Sequence, residues 1–264
     1  MEDRRGRGRL RAAARALEGD RNAPRHCARG RRHGAGPAVS EASSSAAARR
    51  KDPAGDAALI VIAKEPVAGR SKTRLSPPCT PAEAAALAEA ALGDTLEAVV
   101  ATPVARRVLC LDGSPGEWLP EGFELISQRG DGLDERLASA FEDVGGPALL
   151  VGMDTPQLTA ELLSASLGAL TDGADDAVLG EAEDGGYWAV GLRRASRDVF
   201  EGVRMSRADT VEAQRARLRE LGLRWRELAV LRDVDTFEDA REVAALAPGS
   251  RFAAALPGTW TAVS

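Results

Sequence analysis

Short, continuous apolar segments alternate along this chain with longer segments in which apolar residues recur at helical spacing. Short apolar segments bounded by Gly, Pro or charged residues are typical of strands buried in a sheet. They predict strands at 57–63, 106–111, 123–127, 147–154, 176–182 and 186–192, with one more inside 223–231. Segments with the helical period predict helices at 80–101, 132–144, 160–170, 207–222 and 237–246.

Two of the predicted helices are preceded by residues that commonly cap helices. Thr80 has the position of an N-cap, with Pro81 at the first helical position and Glu83 completing a capping box. Thr236 has the same position before the last helix, where Glu238 favours the positive end of the helix dipole. Strands and helices therefore alternate with short connections.

This alternation predicts a single three-layer α/β/α domain with a mostly parallel, Rossmann-like sheet. Ligands of such sheets bind beyond the carboxyl ends of the strands. Polar residues that follow predicted strands are therefore expected to converge. They are the loop 64–74, Asp154, the turn 184–187, and Asp233 with Asp235.

The first 56 residues differ from the rest of the chain in composition and charge. They carry 14 basic and 7 acidic side chains, whereas the remaining residues carry 21 basic and 33 acidic ones. Since so polar a segment buries little apolar surface, 1–56 is predicted to be a disordered, Arg-rich N-terminal segment. It is a solvated tail, sequence upstream of the true start, or a region for nucleic-acid binding or organelle targeting. Residues 57–250 are assigned to the folded domain and 251–264 to a C-terminal tail.

The residue types missing from the predicted domain limit its chemistry. Both histidines, His26 and His33, precede it, so no imidazole is present for Ser-His-Asp catalysis or for a zinc site. The three cysteines lack metal-site spacing, and their sparse, odd number favours a reducing, cytoplasmic compartment. No apolar run is long enough to span a membrane. Catalysis would depend on carboxylates, cations, hydroxyls, backbone amides and an oxygen-ligated metal.

The loop "AKEPVAGRSKTRL", residues 63–75, concentrates positive charge in an acidic domain. Its cations are Lys64, Arg70, Lys72 and Arg74, and Gly69 allows backbone amides to approach a ligand closely. Amides and cations at the carboxyl end of a strand suit the phosphates of a nucleotide. The loop matches neither the Walker nor the G-x-G-x-x-G pattern, and taken alone it could be a solvated basic loop.

Three aspartates are candidates for a metal site. Asp154 follows a buried strand in "LLVGMDTPQL", and Asp233 and Asp235 alternate in "LRDVDTFEDA", which would place both on one face of an extended segment. Carboxylates brought close together repel one another unless a cation neutralises them, which favours Mg²⁺ or Mn²⁺. Individually, each could instead be a turn residue, a helix cap or a solvated carboxylate.

The stretch "EDGGYW" between two predicted strands is a candidate acceptor site. Asp184 could act as a general base toward an acceptor hydroxyl. Gly185 and Gly186 would let the acceptor lie against the backbone beside Tyr187. The alternative is an ordinary hairpin turn.

The motifs "AKEPVAGRSKTRL", "GDGLDERL", "GMDTPQL", "EDGGYWAVGL" and "DVDTFEDA" occur in this order. Together they resemble the bacterial selenodomain-associated (radical-SAM-associated) transferases, which are glycosyltransferase-A-like proteins of the nucleotide-diphospho-sugar transferase fold. The similarity covers 59–247. The first and last motifs also resemble, more weakly, those of 2-phospho-lactate guanylyltransferases. Met205 stands where the transferase family is expected to have Trp, which leaves substrate choice open.

The resemblance implies roles for particular residues. Lys72 and Arg74 would contact nucleotide phosphates, while Asp154, Asp233 and Asp235 would hold Mg²⁺ or Mn²⁺. The expected protein is a transferase that uses a nucleotide or nucleotide-sugar donor and a small-molecule acceptor. Two alternatives stay open, a nucleotidylyltransferase that releases pyrophosphate and a non-catalytic module whose basic head binds nucleic acid or a partner. No nucleic-acid role is expected for the domain, and the oligomeric state is not predicted.

Overall fold

A seven-stranded sheet organises the computed structural model, which describes residues 57–257 of the chain. The strands are β1 Ala58–Lys64, β2 Arg106–Asp112, β3 Glu124–Ser127, β4 Ala148–Gly152, β5 Ala177–Glu181, β6 Tyr187–Leu192 and β7 Trp225–Glu227. The helices are α1 Pro81–Ala101, α2 Leu133–Val144, α3 Ala160–Thr171, α4 Thr210–Glu220, α5 Phe237–Leu246 and α6 Arg251–Ala255.

The strand order is β3-β2-β1-β4-β6-β5-β7, and only β6 is antiparallel to its neighbours. The carboxyl ends of β1, β2, β4 and β5 therefore lie at one edge of the sheet, together with the first residue of β6. This arrangement confirms the predicted single α/β domain with a mostly parallel sheet. It also brings the ends of the predicted site segments to the same edge.

Alternate residues of the central strands belong to two separate hydrophobic cores. On one face, Leu59 and Val61 of β1 pack in the core that includes residues of α1 and α3. On the other, Ala58 and Ile60 pack in the core that includes Phe141 of α2 and residues of α4. Because β1 is buried on both faces, its sequence is continuously apolar rather than alternating, as the sequence analysis assumed.

The predicted helix caps are present. The Thr80 hydroxyl accepts a hydrogen bond from the Glu83 amide, and the Glu83 carboxylate accepts one from the Thr80 amide. Thr236 forms the same reciprocal arrangement with Asp239 at the start of α5. Each cap satisfies amides that the first helical turn leaves without partners, so these two helix starts are determined locally.

The C-terminal boundary differs from the predicted one. Arg251–Ala255, assigned to the tail, forms α6, and Phe252 is buried against α1 and α5. The Asp94 carboxylate of α1 accepts hydrogen bonds from the amides of Arg251 and Phe252. A helix of five residues is too short to show a period, which explains the missed element. The predicted disordered segment 1–56 lies outside the described residues, as does 258–264.

Within residues 57–257, no helix has both the length and the apolar composition needed to cross a membrane.

Candidate active site

A cleft of about 900 Å³ opens at the carboxyl edge of the sheet. Residues from four separate segments line it: the loop after β1, the turn after β4, the β5–β6 turn and the segment between β7 and α5. These are the segments that the sequence analysis expected to converge. The cleft also receives the first two turns of α2 and the loop 205–208 before α4.

Three carboxylates in this cleft lie close enough to bind one metal ion. Asp184, Asp233 and Asp235 each offer an oxygen atom, and these atoms lie within 4.8 Å of one another. Asp184 belongs to the β5–β6 turn, whereas the other two flank buried Val234. The Val234 amide donates a hydrogen bond of 2.9 Å to the Asp154 carbonyl, which fixes the segment across the end of β4.

The negative charge of this cluster is not fully neutralised by the protein. Burial, followed by the neighbouring carboxylates of Asp184 and Asp235, raises the pKa of Asp233 to about 6. Lys72 acts in the opposite direction and does not offset them. A set of three clustered carboxylate oxygens suits a hard divalent cation such as Mg²⁺ or Mn²⁺. The residues present therefore fit the predicted kind of metal.

Asp154, which was predicted as a metal ligand, has a different partner. Its carboxylate lies 2.7 Å from Lys72 Nζ, and it is not among the three clustered aspartates. Sequence spacing paired Asp154 with Asp233 and Asp235 because all three follow strands. The geometry instead groups Asp184 with those two residues, so metal ligation by Asp154 stays a prediction.

Lys72 lies among carboxylates and a backbone carbonyl rather than projecting freely into the cleft. Its side chain is only 10% exposed, and Nζ donates to the Val234 carbonyl and lies 3.9 Å from Asp235. Its backbone adopts φ +50°, a left-handed conformation uncommon for residues other than glycine. Arg74 is more exposed and also contacts Asp235, at 2.8 Å. Phosphate binding by either cation stays a prediction.

Lys64 and Arg70 are the cations of the loop that have no carboxylate partner within residues 57–257. Both side chains are exposed and line the cleft. They also line an adjoining cavity of about 250 Å³. The loop between them is ordered by Ser71, whose hydroxyl donates to the Glu65 carbonyl at 3.0 Å and accepts from the Val67 amide. Two cations are thus presented by a preformed loop.

The β5–β6 turn is tightly packed. The Asp184 carboxylate accepts a hydrogen bond of 2.7 Å from the Gly186 amide. Gly185 has φ +87°, and a Cβ atom at this position would lie 2.0 Å from the Ala208 carbonyl oxygen. Gly185 is therefore required for packing against the loop before α4, whereas acceptor binding by Gly185, Gly186 and Tyr187 stays a prediction.

One side of the cleft was not assigned by the sequence analysis. Gln128 donates to the carbonyls of Ala63 and Cys110, at the ends of β1 and β2. Arg136 of α2 contacts Asp112 at 3.2 Å and the Gln128 side chain at 3.3 Å. The sequence signal for this side is the motif "GDGLDERL", whose position soon after the predicted strand 123–127 indicates the same edge of the sheet.

Comparison with known proteins supports the fold. The family described as an uncharacterized protein conserved in bacteria (DUF2064) matches residues 95–207. A protein from Desulfovibrio desulfuricans G20, provisionally assigned as a nucleotide-diphospho-sugar transferase, is 27% identical over 76% of this chain and 94% of that one. Its crystal structure matches with a TM-score of 0.69. No curated protein sequence matches the chain.

A more distant structure has the same fold. CMP:2-keto-3-deoxy-manno-octonic acid synthetase in complex with CTP is 15% identical, covers 73% of this chain and 98% of its own, and has a TM-score of 0.50. The predicted nucleotide-diphospho-sugar transferase fold is thereby confirmed. The closer resemblances to selenodomain-associated transferases and to guanylyltransferases stay predictions.

Proposed function

We propose that this protein is a metal-dependent transferase that uses a nucleotide-activated donor and transfers a sugar to a small-molecule acceptor. One observation carries the proposal. Cations without carboxylate partners among the described residues, Lys64 and Arg70, line the same cleft as the cluster of Asp184, Asp233 and Asp235. A diphosphate between the two would have its charge balanced by these cations on one side and by a metal ion held by the carboxylates on the other.

The residues of the loop after β1 would bind the donor. Lys64 and Arg70 supply charge for the phosphates, and the left-handed backbone at Gly69 opens the loop to close approach by a ligand. Lys72 would support the site indirectly, since its ammonium group holds the Asp154 carboxylate and the Val234 carbonyl in place. The similarity to the Desulfovibrio desulfuricans protein agrees with a nucleotide-diphospho-sugar donor.

Asp184, Asp233 and Asp235 would hold the metal ion. When bound, a divalent ion supplies positive charge that stabilises the departing phosphate. A bound cation would also explain why three carboxylates lie so close together despite their mutual repulsion. Mg²⁺ and Mn²⁺ both suit these ligands.

The reaction would be a displacement at the anomeric carbon of the donor sugar. The acceptor hydroxyl oxygen forms a bond to that carbon, and the bond from the carbon to the phosphate oxygen breaks. Its electron pair leaves on the nucleoside diphosphate, and the hydroxyl proton passes to a carboxylate and then to water. Asp184 is the proposed base as well as a metal ligand, since it offers carboxylate oxygens beside Asp233 and Asp235.

Calorimetric titration with nucleoside diphosphates, in Mn²⁺ and again after EDTA, tests this function. We expect at least one of UDP, GDP, ADP, CDP and dTDP to bind only with the metal present. Asp235→Asn should weaken that binding by about tenfold or more, because it removes a charged ligand oxygen. Glu89→Gln, which removes an exposed carboxylate on α1, is the matched control and should have no effect. Failure of all five nucleotides to bind would refute the proposal.

The type of transfer is decided with the base identified in that titration. A nucleotide sugar that slowly releases nucleoside diphosphate supports glycosyl transfer. Pyrophosphate released from the corresponding triphosphate, with no turnover of the nucleotide sugar, would instead indicate nucleotidylyl transfer. In the same assay, Asp184→Asn separates its two roles. Loss of metal-dependent binding indicates a ligand, whereas loss of turnover with binding retained indicates a base.

A further inference from the structure

Tyr187 presents its ring, rather than its hydroxyl group, as a functional surface. The hydroxyl oxygen lies 3.4 Å from Gln214 Oε1 and 3.5 Å from Met205 Sδ. Gln214 is fully buried and donates its amide to the Val199 carbonyl. Burial also raises the pKa of Tyr187 well above its ordinary value. The hydroxyl is therefore turned toward the core and is unsuited to proton transfer.

The loop that carries Met205 is held in one position beside this ring. The buried Thr210 hydroxyl accepts from the Arg207 amide at 3.0 Å and donates to the Arg204 carbonyl at 3.1 Å. The Val211 amide donates to the Gly185 carbonyl at 2.9 Å. Tyr187 and Met205 are half-buried at the boundary of the core, and both line the cleft. They form a preformed apolar surface next to Asp184.

An exposed leucine extends this surface from the side of α2. Leu133 is 41% exposed, although it stands at the first position of the helix and lines the cleft. The Asp134 carboxylate contributes to the raised pKa of Tyr187, so the first turn of α2 lies near the tyrosine. We call Leu133, Tyr187 and Met205 the apolar wall.

The two cations that line the cleft beside the apolar wall have carboxylate partners, whereas Arg204, next to Met205 in sequence, does not line the cleft. Arg136 contacts Asp112 at 3.2 Å, and Arg207 contacts Asp209 at 3.2 Å. Lys64 and Arg70, which have no such partner among the described residues, belong to the loop after β1 instead. An anionic acceptor at the wall would thus meet no uncompensated cation of the cleft lining there, and three carboxylates around one divalent ion, with a bound diphosphate, would still repel it. A neutral acceptor needs no cation partner and is not repelled by the negative charge.

We propose, on the basis of the function proposed above, that the acceptor is a neutral alcohol whose carbon skeleton packs against Leu133, Tyr187 and Met205. Its hydroxyl would point toward Asp184, and its apolar body would cover the exposed leucine. The wall removes that body from water, which supplies binding energy without requiring charge. Acceptors bearing a phosphate or carboxylate beside the reacting hydroxyl are disfavoured.

Binding of matched neutral and anionic probes tests this inference. The probes are 4-phenyl-1-butanol and 4-phenylbutyl phosphate, titrated by NMR into the full chain with diamagnetic Mg²⁺ and the nucleoside diphosphate identified above. We expect the alcohol to bind more tightly than the phosphate. Leu133→Ala and Met205→Ala should each lower the affinity for the alcohol by about 4-fold or more, because about 4-fold is the effect of losing one buried methylene. Both positions are exposed or half-buried, so the variants should fold.

Leu125→Ala is the control, since Leu125 is 48% exposed on the edge strand β3 and does not line the cleft. It should leave binding of both probes unchanged. Equal effects of Leu133→Ala and Leu125→Ala, or tighter binding of the phosphate that depends on Arg136 or Arg207, would overturn the inference. Nucleoside diphosphate affinity in the same samples separates the two proposals. If nucleoside diphosphate still binds but the wall variants do not change alcohol binding, only the acceptor assignment fails. If no nucleotide binds, both proposals fail.

Discussion

Lys72 shows how a single residue can have the expected location and a different set of contacts. Lys72 and Lys64, the two lysines of the loop after β1, were predicted to bind phosphate together. The structure separates them, because Lys64 is exposed whereas Lys72 contacts Asp154 and the Val234 carbonyl. A buried ammonium surrounded by oxygen atoms neutralises carboxylates, and an exposed one can bind an incoming anion.

The two lysines should therefore differ when replaced. Lys64→Ala should lower nucleoside diphosphate affinity by about tenfold and leave Mn²⁺ affinity unchanged, since it removes a charge-assisted hydrogen bond to phosphate. Lys72→Ala should strengthen Mn²⁺ binding without nucleotide, because a cation that competes for Asp235 is gone. Calorimetry with each ligand separately measures both effects.

Arg194→Ala is the control for lost positive charge, since Arg194 is exposed and does not line the cleft. It should change neither affinity. Loss of nucleotide binding in Lys72→Ala with unaltered Mn²⁺ binding would restore Lys72 to a direct phosphate-binding role.

At the residue scale, the sequence indicated which carboxylates reach the cleft, whereas their contacts come from the structure and their roles stay predictions. Asp184, Asp233 and Asp235 were all candidates, but Asp184 was expected to act as a base and Asp154 as the third ligand. Sequence shows that a carboxylate follows a strand, and it does not show the direction of the side chain. That direction depends on Lys72, which is distant from Asp154 in sequence and 2.7 Å from it in space.

At the scale of elements, hydrophobic patterning predicted the strands and helices well. Continuous apolar runs marked the buried strands, and the capping box at Thr80 and the N-cap residue Thr236 marked helix starts. The segment containing Asp233 and Asp235 was expected to be strand-like, but 232–235 has no regular secondary structure. Its position comes instead from the hydrogen bond between the Val234 amide and the Asp154 carbonyl, a long-range contact that local pattern does not contain.

The contact between the β5–β6 turn and the loop before α4 leads to a stability prediction. Gly185→Ala should lower the free energy of unfolding by about 3 kcal/mol, because the added Cβ meets the Ala208 carbonyl and the backbone is left-handed. Gly202→Ala is the matched control, with φ +78° and no atom within 4 Å of the added Cβ. It should cost only about 1 kcal/mol, from backbone strain.

Urea unfolding of the two variants measures the difference. Equal losses would mean that the loop before α4 moves aside without cost. In that case the apolar wall would not be preformed, and its contribution to acceptor selection would be smaller than proposed.

At the scale of the whole molecule, the parallel order of the sheet creates the site. The predicted alternation of strands and helices was sufficient to infer that polar residues meet at one edge. The reversed direction of β6 agrees with the hairpin alternative for "EDGGYW", and it places Asp184 in the turn and Tyr187 at the start of the next strand. The contribution of residues 1–56 to binding is a prediction that concerns a separate part of the chain.

The central claim is that Asp184, Asp233 and Asp235 bind a divalent metal in the nucleotide cleft. The raised pKa of Asp233, about 6, predicts the direction in which metal affinity changes with pH. The carboxyl must lose its proton to bind a cation, so metal affinity should be full above that pKa and fall below it.

Electron paramagnetic resonance titration of Mn²⁺ tests the claim most directly, since it reports bound ions independently of turnover. We predict one site at neutral pH, tighter with nucleoside diphosphate, about tenfold weaker at about pH 5, and lost in Asp233→Asn. Glu89→Gln should retain it. Absence of bound Mn²⁺ at neutral pH, or binding that persists unchanged in Asp233→Asn, would contradict the assignment of the metal site.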